Sequence, residues 1–128
     1  MIAIDTNVVV RLLVADDPAQ ASRARALLAR EDVWIGGTVL LETASVRDAV
    51  YGFSQAEIAR SLRALLGLPN VSTGSPANVA RALAAAERGM DVADAFHLSF
   101  APDDAEALVT FDRRIKQHGA SIREVRLA

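Results

Sequence analysis

Four carboxylates, Asp5, Glu42, Asp94 and Asp112, are spread along 128 residues at positions where alternating strands and helices would gather them. Asp5 directly follows the apolar run Ile2 to Ile4, and Asp112 comes two residues after the run Ala107 to Thr110. In an open parallel sheet both places lie outside the carboxyl ends of strands, where loops and helix starts converge and ligands bind. Asp91 and Asp94 stand three apart in a short helical segment, so they share a face and repel one another. Asp91 reads equally well as a charge complementing a helix N-terminus. At ~100° of turn per residue, Glu42 falls in the arc of Val39, Val46, Ala49 and Phe53. A carboxylate is therefore expected within an apolar face, where it needs an arginine partner or a bound cation.

Carboxylates drawn together are neutralised by protons or by a hard divalent cation, and oxygen-only ligation suits Mg²⁺ or Mn²⁺ rather than zinc. The chain has no cysteine, and its only histidines, His97 and His118, lack the spacing of a zinc pair. His97 reads as a packed or partly exposed helix residue. Phosphodiester hydrolysis is the chemistry such a site serves, because the cation activates water and offsets charge on the phosphate.

The elements that must position these groups can be read from local signals. Ile2 to Ile4 predicts a strand, followed by a capped turn into a helix over Val8 to Val14. Asp17 with Pro18 opens a helix to about Arg30, and Val33 to Ile35 predicts a buried strand closed by Gly36-Gly37. Helical character runs from Thr38 to Tyr51 and stops at Gly52, after which Ser54 and Glu57 make a capping box for a helix to about Leu66. Val71 is a very short strand. Pro76 to Arg88 and Asp91 to Ala101 are helices, with Val92, Phe96 and Phe100 turned away from the two aspartates. Ala107 to Thr110 and Ile122 to Val125 are the last strands. The class is α/β, a three-layer arrangement with a central, mostly parallel sheet of 4–5 strands flanked by helices. Residues 1–128 read as one domain, without internal repeat or linker.

Composition narrows the function classes. At 52% hydrophobic and 23% charged residues the chain is globular, and with no cysteine it needs no disulfide framework. No apolar run reaches the ~18 residues of a membrane span, so a cytoplasmic location without membrane contact is expected. The net charge of −2 offers no global attraction to nucleic acid. Of the 14 basic residues, Lys116 is the one lysine; arginine suits bidentate phosphate contacts but also accompanies alanine-rich composition.

Ile4-Asp5-Thr6-Asn7, Leu41-Glu42 in a helix ending Tyr51-Gly52-Phe53, the helix start Asp91-Val92-Ala93-Asp94-Ala95 and the strand end Thr110-Phe111-Asp112 together resemble PIN-domain ribonucleases of the VapC toxin type. The resemblance covers nearly the whole chain in order. It implies that Asp5, Glu42, Asp94 and Asp112 hold one or two Mg²⁺ or Mn²⁺ ions and cleave RNA. It also makes Asp91 an accessory acid and Thr6 or Thr110 the hydroxyl beside the cluster. Asp5, Asp94 and Asp112 would position the metal, and Glu42 a water or second ion; in-line attack by water would leave 5′-phosphate and 3′-hydroxyl ends. A homodimer is implied, together with a cognate VapB-like antitoxin through which alone the complex contacts DNA. Arg11, Arg113 and Arg114, close in sequence to the acids, are candidate contacts to the RNA backbone.

Other readings fit less well. A haloacid-dehalogenase-type phosphatase needs a second aspartate two residues after the first, where this chain has Asn7. A receiver domain expects an acidic pair near the first strand, whereas Asp5 is isolated and Lys116 lies beyond Asp112. A catalytically silent PIN-like interaction module remains the alternative, against which the complete quartet argues.

Overall fold

The structure is a computed structural model that describes residues 1–128, the side chain of Ala49 excepted. In chain order its elements are β1 (Ile2–Ile4), α1 (Thr6–Leu13), α2 (Pro18–Arg30), β2 (Val33–Ile35), α3 (Gly37–Tyr51), α4 (Gln55–Leu66), β3 (Val71–Thr73), α5 (Pro76–Glu87), α6 (Val92–Phe100), β4 (Leu108–Thr110), α7 (Arg113–His118), a 3₁₀ turn at Gly119–Ser121 and β5 (Val125–Leu127). All strand pairs are parallel, as the alternation of strand and helix implies. The strands form two hydrogen-bonded groups, β1-β2-β3 and β4-β5. No helix among the described residues is long and apolar enough to cross a membrane.

Local chemistry accounts for most helix ends. Asp17 caps α2 by accepting from the Gln20 N–H, with Pro18 at the first helical position. Ser54 and Glu57 close a reciprocal capping box on α4. Gly52 ends α3 at φ 68°, in the left-handed region that a side chain would strain.

The core joins Ile4, Val33, Ile35 and Val71 of the three-stranded sheet to Leu40, Ile58, Leu62, Val79, Leu83, Phe96 and Leu98 of the helices. Only one face of that sheet is buried so completely. On the other, Ala3, Trp34 and Ser72 lie side by side in register, and all three are exposed. Trp34, expected inside a buried strand, is 37% exposed. Parallel strands are ordinarily covered on both faces.

The arc expected for α3 is wrong by most of a half-turn. Its buried stripe is Leu40, Thr43, Ala44 and Arg47, which places Glu42 roughly 150° away at 100° per residue. Glu42 is exposed, so the expected carboxylate in an apolar face is not there. Val39, Val46 and Phe53 are only half-buried, and the Ala49 side chain lies outside the described residues. A threonine and an arginine inside the true stripe disguise it. Arg47 gains a cation–π contact, its guanidinium carbon 4.3 Å from the Phe53 ring centroid, while its Nε and Nη1 are buried with no hydrogen-bond partner among the described residues.

The last strand is shifted from its expected place at Ile122 to Val125, because Arg123 has another role. Its guanidinium donates to the carbonyl oxygens of Leu98, Ala101, Pro102 and Ala105 at 2.7–3.0 Å, satisfying the C-terminal end of α6. Arg123→Lys keeps the charge but loses the planar fork. We expect it to destabilise the fold by about 2 kcal/mol, read as a lower urea midpoint at unchanged slope.

Candidate active site

Asp5 is the N-cap of α1, in extended backbone directly after β1, and its Oδ1 accepts from the Val8 N–H at 3.2 Å. The cap fixes one oxygen toward the helix. Thr6, the next residue, is 8% exposed, and its Oγ1 is buried with no hydrogen-bond partner among the described residues.

Asp91 caps α6 in the same way, accepting from the Asp94 N–H at 3.0 Å, while the neighbouring Val92 N–H donates to Gln55 Oε1 of α4 at 2.8 Å. The start of α6 is therefore pinned from two sides. Asp91 thus serves as the helix cap, and its charge acts on Asp94. Burial, then the negative charges of Asp91 and Asp112, push the Asp94 carboxyl above the ordinary aspartate value; His97 and Arg114 oppose this. The fold thus brings Asp91, Asp94 and Asp112 within electrostatic reach of one another, although Asp112 comes from a different part of the chain.

Asp112 caps α7 and takes its place from the end of β4, where its N–H donates to Thr110 Oγ1 at 3.0 Å. Thr110 is accordingly a positioning residue. Arg114 grips the Asp112 carboxylate with both ends of its fork, Nε to Oδ1 at 3.3 Å and Nη2 to Oδ2 at 3.1 Å. Those side-chain hydrogen bonds, with one from the Arg114 backbone N–H, hold the Asp112 carboxyl below its ordinary value. Arg114 is 84% exposed, so the pair is a solvent-screened one that a stronger cation can displace.

Glu42 lies on the solvent-facing side of α3 and lines neither of the cavities that hold Asp5 and Asp91. The exposed face of α3 that carries it also carries Thr38 and Ser45. Thr38 lines a cavity with Asp5, and Ser45 a smaller one with Asp91. The Asp5 cavity, about 820 Å³, runs beneath β1 and β2 to the later turns of α6. His97, one turn beyond Asp94, stands on its rim and is exposed. Phe100, expected to turn away from the two aspartates, is 40% exposed on the same cavity and stacks on Phe96 with centroids 5.4 Å apart. The aromatic lining escaped the sequence reading because Trp34 and Phe100 looked like ordinary core residues.

The candidate phosphate contacts divide. Arg11 is tied into the turn after α1, donating to Gln20 and to Asp16 at 2.7 Å, and the Tyr51 hydroxyl donates to the same Asp16 at 2.6 Å. Arg113 is exposed at the start of α7, and Arg114 serves Asp112.

Donor chemistry at Asp5, Asp94 and Asp112 fits a hard divalent cation: oxygen only, with the Asp94 carboxyl raised by burial and then by like charges that a cation would neutralise. Among the described residues no three acidic or histidine side chains converge closely enough to hold an ion as they stand.

Among known families, the model described as "PIN domain" matches residues 2–120. No curated protein and no solved structure matches the chain.

Proposed function

Because the chain belongs to the PIN domain family, whose members are typically metal-dependent nucleases, we propose that it is a divalent-metal-dependent ribonuclease, the toxin of a VapBC-type toxin–antitoxin pair. The observation that carries this reading is Asp94, half-buried at the start of α6 with its carboxyl raised by burial and by Asp91 and Asp112. Asp91 is explained as the cap of α6, but a helix start by itself calls for neither a half-buried Asp94 nor the charge of Asp112 acting on it. Asp5, Asp94 and Asp112 would hold Mg²⁺ or Mn²⁺, with Glu42 completing the site from the exposed face of α3. The cation, when bound, supplies acidification of water and relief of charge on the phosphate.

The chain's own groups do the rest. Asp5 and Asp112, each fixed by its helix cap, keep their orientation while substrate enters. Thr110 holds the Asp112 backbone, and Arg114, once released from Asp112, is placed to contact the RNA backbone beside Arg113. An unpaired loop of RNA is the expected target, since its bases are free to be read. As a toxin the protein would act in the cytoplasm as a homodimer, restrained by a VapB-like antitoxin that makes the only contact with DNA.

Purified protein incubated with total cellular RNA should yield discrete fragments with Mg²⁺ or Mn²⁺ and none with EDTA. Fragment ends should be 5′-phosphate and 3′-hydroxyl. A 2′,3′-cyclic phosphate would instead mean attack by the ribose hydroxyl, and equal inertness with and without metal would favour an interaction module.

A further inference from the structure

One cavity is more apolar than phosphodiester cleavage requires. It opens beside Asp5, its volume is about 820 Å³, and two aromatic side chains present exposed surface to it, Trp34 at 37% and Phe100 at 40%. That volume is in the range of sites for small organic ligands, ~300–1,000 Å³.

Both rings are seated against glycine. A Cβ at Gly36 would lie 3.2 Å from two atoms of the Trp34 indole, and one at Gly74 would lie 3.7 Å from a third. The indole therefore lies over two backbone segments that carry no side chain. A Cβ at Gly37 would come 4.0 Å from the tip of Phe100, whose ring is backed by Phe96 at 5.4 Å. The adjacent glycines Gly36 and Gly37 thus separate two ring systems whose placement is set before any ligand arrives. Little ordering is left for binding to supply.

We propose that this cavity is a subsite for an unpaired nucleobase of the RNA, stacked on Trp34 and Phe100 while its phosphate lies toward Asp5. This rests on the ribonuclease reading and extends it to the choice of cleavage position. Adjacency to candidate site residues favours a base over any other occupant: Asp5 lines the cavity, and His97, which also lines it, is one turn of α6 beyond Asp94 and acts on its carboxyl. Stacking on aromatic rings is the general means of holding single-stranded nucleic acid, and duplex bases are unavailable for it.

Trp34 is the one tryptophan in the chain, so its emission reports on the cavity directly. The full-length Asp94→Asn protein, which leaves RNA uncut, is titrated in Mg²⁺ buffer with a five-nucleotide unpaired RNA and with a duplex of the same composition. The unpaired RNA should quench Trp34 and the duplex should not. Phe100→Leu should weaken that binding roughly 5- to 150-fold, and Phe100→Tyr should restore it. In the Asp94-containing enzyme, Phe100→Leu should raise KM and leave kcat nearly unchanged. A Tm within a few degrees of the parent for Phe100→Leu and Phe100→Tyr separates stacking from misfolding.

If the enzyme cuts RNA but emission and KM do not move, the subsite is overturned and the nuclease reading stands. If unpaired RNA quenches Trp34 but the Asp94-containing protein cuts nothing with Mg²⁺ or Mn²⁺, the base site stands and the nuclease reading falls. Equal quenching by duplex overturns the subsite. So does emission that changes with protein concentration and not with RNA, which would assign the cavity to a second copy of the chain.

Discussion

Asp94→Asn is expected to abolish RNA cleavage and, in EDTA, to raise the melting temperature. The loss of activity should be at least about 100-fold, the upper end of what removing an outer-shell partner costs at a metal site. The gain in stability follows from the sign of the shift. Burial and the charges of Asp91 and Asp112 raise the Asp94 carboxyl in the folded state above its ordinary 3.8. Its contribution to stability is therefore fully present below the unfolded value, and is lost as pH rises through the folded one. At neutral pH the wild type bears the whole penalty, and the neutral amide does not. The difference in Tm between variant and wild type should shrink as pH falls toward 4. With Mg²⁺ added, the order should reverse, because only the wild type gains stability from the ion. A variant less stable than wild type in EDTA would make Asp94 a structural carboxylate and remove the main support for the metal site.

Asp5 separates catalysis from capping, which makes it the second large effect. Asparagine is as good an N-cap as aspartate, so Asp5→Asn should keep the hydrogen bond to the Val8 N–H and leave stability nearly unchanged. Cleavage should nonetheless fall by at least about 100-fold, since the charge is gone. Asp5→Ala should lose activity as completely and in addition cost about 1 kcal/mol of stability through the lost cap. Chemical denaturation and a cleavage assay on the two variants test this pair of outcomes together. An Asp5→Asn protein that still cuts would confine Asp5 to its structural role.

The negative charge around Asp94 also accounts for the arrangement of Arg114. An exposed guanidinium on Asp112 relieves part of the negative charge without committing buried surface. It can leave at little cost. Arg123, by contrast, is half-buried and fully engaged by four carbonyls, so it belongs to the fold and has no freedom to serve a ligand.

What could be read from residue order alone was the chemistry that acts over three or four residues. The Asp17-Pro18 start, the Ser54 and Glu57 box and the stop at Gly52 are each made by side chains or backbone conformations within one turn, so neighbours in sequence suffice. Alternation of strands and helices likewise determined the α/β class and put Asp5 and Asp112 after strands. The side on which Glu42 lies was settled only by tertiary packing. The buried stripe of α3 contains Thr43 and Arg47, and Arg47 packs there against the Phe53 ring, a contact that hydrophobic periodicity does not encode. Tertiary structure also decided that Trp34 and Phe100 face a cavity, since an apolar residue type states a preference for burial and not what will cover it. The raised carboxyl of Asp94 comes first from burial, then from Asp91 and from Asp112 arriving from a later strand end; burial and the contribution of a distant segment exist only once the chain has folded.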